Sequence, residues 1–72
     1  MINHTAKNVP ENLSELEERQ VRLVTEYGEM FRGEATSFCA EYGMHEFGVE
    51  EEGIQIDSFV FYRHDIRSVE PV

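Results

Sequence analysis

The stretch Val21-Arg22-Leu23-Val24-Thr25-Glu26-Tyr27-Gly28-Glu29-Met30-Phe31-Arg32-Gly33-Glu34-Ala35 decides how this chain folds. Val21, Leu23 and Thr25 fall on one face of an alternating run, and Arg22, Val24 and Glu26 on the other. Successive strand side chains point to opposite faces, so a period of two marks a half-buried strand. Glu26-Tyr27-Gly28-Glu29 reads as the turn that follows, with Gly28 able to take positive φ. Alternation resumes from Glu29 to about Ala40, with Phe31, Gly33, Ala35 and Ser37 on one face. A typical strand has about 5–6 residues, so this one is long. A glycine inside such a strand marks a sharp bend where a small sheet turns a corner. The hairpin therefore predicts two strands, the second bent at Gly33.

Upstream, residues 1–10 are polar, aperiodic and end in Pro10, and are expected to form a loosely attached arm ahead of a domain spanning 11–72. Asn12 with Glu15, or Ser14 with Glu17, matches a capping box, and Leu13 and Leu16 share a face. This predicts a helix of about two turns, too short to persist unless its leucines pack on something. Downstream, Tyr42 to Gly53 is punctuated by glycines and runs into Glu50-Glu51-Glu52. Its front half, Met44 to Val49, is expected in a short third strand and its acidic tail in a solvated loop. Ile54 and Ile56 alternate as a strand, Ser58 marks a turn, and Phe59-Val60-Phe61-Tyr62 is apolar on both faces. An edge strand of that kind facing water invites aggregation, so it is either central or pairs with another subunit. Arg63-His64-Asp65 is a polar break before a last strand through Ile66 and Val69 to Pro71. The expected fold is mainly β: a short N-terminal helix followed by a five-stranded, strongly bent SH3-like barrel.

Composition narrows the function. A chain of 72 residues is one domain, and a chain of that size buries only about 60% of its unfolded surface. One cysteine, Cys39, excludes an intrachain disulfide, and no Cys/His cluster has zinc spacing, so no metal or cofactor is expected. Oligomerisation is then the expected source of extra stability. The 15 acidic residues outnumber 6 basic ones, for a net charge of −9. Such a field keeps a small protein soluble and repels a phosphate backbone. No run approaches the ~18 apolar residues of a membrane span, and no signal-peptide pattern is present. With one unpaired thiol, the expected location is cytoplasmic, away from membranes.

Two segments carry a resemblance. Val21 to Phe38, V-x-L-x4-G-x4-G-x-A-x-S-F, resembles the first Sm motif, and Val60 to Val69, VFYRHDIRSV, resembles the second. The Y-R-H-D-I core is similar to the Y-K-H-A-I segment of Hfq, the bacterial RNA-chaperone branch of the Sm-like family. The resemblance covers about residues 12 to 71. It implies a bent five-stranded barrel closed into a homo-oligomeric ring of six or seven subunits. Phe59, Val60, Phe61 and Tyr62 of one subunit would pair with the strand holding Ile66 and Val69 of the next. It also implies single-stranded RNA at the ring pore, contacted by Arg63 and His64 with Tyr62 and Arg67 beside them. Cys39, however, stands where the first motif carries aspartate, and Ala40 and Glu41 replace the glutamine and the stacking phenylalanine of Hfq.

Other chemistry is thinly signalled. Cys39 with His45 or His64 lacks a third orienting group for nucleophilic catalysis, and a strand cysteine is usually a small hydrophobe. His45-Glu46 with Glu50 to Glu52 offers oxygen ligands for a divalent cation, but an acidic solvated loop is the plainer reading. An enzyme is not expected. Two functions remain: a ring that binds single-stranded RNA through Arg63, His64 and Arg67, and an acidic oligomeric module that kept the scaffold, lost RNA binding and contacts a protein partner.

Overall fold

The first hairpin forms as its alternation predicts. In a computed structural model that describes residues 8–72, β1 (Gln20–Thr25) and β2 (Met30–Glu34) pair antiparallel, with Val21 opposite Gly33 and Leu23 opposite Phe31. Thr25 anchors the turn: its buried hydroxyl accepts N–H bonds from Tyr27 at 3.2 Å and Glu29 at 3.1 Å. Gly28 takes φ 90° there, a conformation that costs a side-chain-bearing residue steric strain.

The described chain is mainly β, with six strands in two antiparallel three-stranded sheets and one α-helix. Sheet one has the order β2-β1-β6, with β6 at Ile66–Pro71. Sheet two has the order β3-β4-β5, from Thr36–Phe38, Gly53–Ile56 and Phe59–Tyr62. Only Ala35 separates β2 from β3, so the chain crosses between sheets at one fully buried residue. Ala35 N–H bonds Arg19 O at 2.9 Å and its carbonyl accepts from Glu18 N–H at 2.8 Å, which satisfies the backbone in the bend. Gly33 is needed for contact: a Cβ there would lie 2.7 Å from Ile56 Cγ2 of the other sheet.

Three expectations need correction. The long second strand from Glu29 to Ala40 is two strands in different sheets, and the described residues hold six strands where five were expected. The two-turn helix after Asn12 is a single 3-10 turn, Leu13–Leu16; Asn12 caps it through Ser14 N–H at 3.2 Å. The segment expected to carry the third strand is an α-helix, α1 (Ala40–Phe47). Cys39 holds extended backbone at its N-cap while its thiol accepts Tyr42 N–H at 3.5 Å. Gly48, at φ 83°, closes the helix by donating to Met44 O at 3.1 Å. Gly43, read as turn punctuation, instead lets the return segment pack close: a Cβ there would meet Glu51 O at 2.5 Å.

The core lies between the sheets. Leu13, Leu16, Val21, Leu23, Ala35, Ile54, Ile56, Phe61, Ile66 and Val69 form one buried cluster, with Val9 and Phe31 packed against it. Of the expected arm, residues 1–7 lie outside the described residues; Asn8 bridges β6 in parallel, its N–H bonding Arg67 O at 2.9 Å and its carbonyl accepting Val69 N–H at 3.1 Å. No helix among the described residues is long and apolar enough to cross a membrane.

Candidate functional site

The segment that the second motif singled out leaves β5 as a 3-10 turn, Arg63–Asp65, and enters β6. Three of the four residues expected at RNA come together there. Tyr62 and His64 stack nearly parallel, with ring centres 6.1 Å apart, and Tyr62 also meets Phe38 edge-on at 6.2 Å. Arg67 lies farther along, at the start of β6.

Each basic group has a partner in its own chain. Arg63 donates from Nε to Glu52 Oε2 at 2.7 Å, and from Nη2 to Pro10 O at 2.9 Å and Glu11 O at 2.7 Å. Its side chain keeps only 29% of its exposure. The His64 backbone donates to Glu51 Oε2 at 2.8 Å, and its Nδ1 lies 2.5 Å from Glu51 Oε1 while Nε2 lies 3.2 Å from Asp65 Oδ1. Arg67 donates from Nη2 to Glu26 O at 2.7 Å, with its Nε 3.6 Å from Glu26 Oε1. Four carboxylates therefore surround two guanidiniums and an imidazole. Charge-assisted hydrogen bonds to a carboxylate are about twice as strong as neutral ones; Arg63 makes one to Glu52, while the Arg67 hydrogen bond goes to the Glu26 carbonyl.

What sequence reading missed is that Glu51 and Glu52 pair with the turn. They read as the end of a solvated acidic loop, yet β4 begins one residue later and pairs with β5, with Gly53 opposite Tyr62. That register carries the two acids to the turn, and Arg63 N–H bonds Glu52 O at 3.0 Å. A hairpin register applied to the sequence would have found them, because residues flanking a paired strand share its partner's neighbours.

The expected subunit-contact residues divide. Ile66, Val69 and Phe61 are buried in their own core, whereas Phe59 is 52% exposed and Val60 and Tyr62 are half-buried. Phe59 rests on a small aromatic cluster, 5.1 Å from the Phe31 ring, which itself lies 4.8 Å from Phe61. Cys39 is exposed and borders a shallow groove with Thr36, Ser37, Phe38, Tyr42 and Gln55. No group of His, Cys, Asp and Glu among the described residues is arranged to hold a metal ion. No family model, curated protein or solved structure matches the chain.

Proposed function

We propose that this chain is a non-catalytic, acidic interaction module on an Sm-like scaffold, acting through protein contacts in the cytoplasm. Strand order supports the scaffold reading. Followed through the Ala35 bend, the order runs β6-β1-β2, then β3-β4-β5, with a 3-10 turn from β5 to β6. A single bent strand serving both sheets is the arrangement expected of a small SH3-like barrel. Fold does not fix function, so the function rests on the site.

One observation carries it: Arg63, His64 and Arg67 all face carboxylates of their own chain. Nucleic-acid affinity comes largely from cations that replace condensed counterions on phosphate. A cation already neutralised by a fixed carboxylate gains little from that exchange, and the chain's net charge of −9 opposes the approach. Single-stranded RNA at the turn is the second reading, favoured by the stack of exposed His64 on half-buried Tyr62, since unpaired bases stack on such surfaces.

Anisotropy titration with labelled oligo(U) and oligo(A) at low salt separates the two. The module reading expects no saturable binding at micromolar protein. Saturation that weakens with added salt and with Arg67→Ala would overturn it in favour of RNA.

A further inference from the structure

We propose that β5 is a self-pairing edge: it docks antiparallel on β5 of a second copy about a two-fold axis, with Val60 opposite the partner's Tyr62. The proposal rests on the interaction-module reading and names the partner.

The backbone sets the terms. Arg63 N–H bonds Glu52 O directly across the β4–β5 pair, so in an antiparallel ladder Phe61 with Ile54 and Phe59 with Ile56 are also hydrogen-bonded pairs. Val60 and Tyr62 alternate with them, and their N–H and C=O groups point away from β4. Among the described residues no strand pairs with that outer edge. Two donors and the Val60 carbonyl face outward unshared. The Tyr62 carbonyl, which accepts the first bond of the 3-10 turn, keeps a second lone pair, so the strand matches the same set on an antiparallel copy. In the register Val60 to Tyr62, these groups are paired inside the strand, and Phe61 of each copy lies opposite its counterpart at the axis.

Both edges of the first sheet are blunted. On β6, the outward Arg67 O and Val69 N–H are taken by Asn8, and the next outward residue, Pro71, has no N–H to give. Val72 N–H bonds Gln20 O, which fixes the alternation along β6. The outer edge of β2 presents Arg32 and Glu34, charged residues of the kind that discourage pairing. β5 carries no charge from Phe59 to Tyr62 and exposes half of Phe59. A second β5 therefore fits this edge better than β6 of a neighbour, which a ring would require.

The proposal predicts its own salt dependence. Each copy brings a charge of −9, so added salt screens the repulsion and tightens the dimer. RNA binding would respond in the opposite direction.

Sedimentation equilibrium on the full chain tests it. The expected mass is twice the 8.4 kDa of one chain, with association strengthened by salt. Val60→Pro removes an outward N–H without touching the β4 ladder, as edge strands allow, and is expected to weaken association about a hundredfold while far-UV circular dichroism is unchanged. Phe59→Lys, which adds charge to the edge at a residue outside the buried core cluster, is expected to weaken it as well. A six- or seven-fold mass would overturn the two-fold while leaving a self-associating module in place. A monomer at every concentration, or a dimer that both variants retain, would overturn the β5 edge. Binding of oligo(U) would instead overturn the module reading and leave the dimer standing.

Discussion

Replacing Arg63 with alanine should loosen the fold before it affects any ligand. The guanidinium ties three segments: the acidic approach to β4 through Glu52, the N-terminal segment through Pro10 O and Glu11 O, and its own 3-10 turn. A hydrogen bond to a charged group contributes about 1.5–3 kcal/mol. The two carbonyls regain water when the side chain is removed, and Glu52 is partly exposed, so the low end of that range applies once, at about 2 kcal/mol. For a domain of this size each kcal/mol moves Tm by roughly 4–8 °C, so Arg63→Ala should melt about 8–16 °C below wild type. Arg63→Lys keeps the charge but loses the planar fork that reaches Glu52 and the carbonyls together, and should recover only a small part of the loss. Thermal denaturation followed by circular dichroism is the assay. A Tm for Arg63→Ala within about 2 °C of wild type, the shift of a neutral surface substitution, would refute the clamp and return Arg63 to the pool of ligand residues.

Other substitutions test the supporting geometry. Gly33→Ala sets a Cβ against the stiff, buried Ile56 and should cost about 1–3 kcal/mol in a urea titration; an unchanged midpoint would mean the sheets do not approach there. Thr25→Val keeps the shape but deletes the acceptor for Tyr27 and Glu29 N–H, and should cost about 1 kcal/mol by the same measurement, with no loss refuting its anchoring role. Cys39→Ser offers the first turn of α1 a better N-cap acceptor and should raise stability by about 0.5 kcal/mol, whereas a lower Tm would show that the thiol's packing outweighs its capping.

The hairpin was legible because its signals are local. Alternation from Val21 and the turn at Gly28 fix neighbours that are close in the chain, and the burial of Val21, Leu23 and Thr25 follows that reading. The bend expected at Gly33 falls instead at Ala35: β2 runs in register with β1 through Gly33 to Glu34, and Gly33 serves the close approach to Ile56. Helix α1 was not legible, because Gly43 and Gly48 read as turn punctuation. Gly43 in fact permits a backbone contact with Glu51, and Gly48 ends a helix whose start is capped by a residue that reads as part of a strand.

The sequence by itself determined that the chain is mainly β, acidic, and opens its sheets with the hairpin at Gly28, because composition and a period of two are properties of residues in order. It also located the turn from Tyr62 to Asp65 as the segment dense in chemistry. Only the tertiary structure decided what that turn can do. Glu52 is 11 residues from Arg63 and Glu51 is 13 from His64, and Pro10 is 53 away. Pairing of β4 with β5, and of Asn8 with β6, brings them within hydrogen-bond distance. A cation's availability depends on which carboxylates surround it in space, and that is set by strand register and by the path of the chain between them.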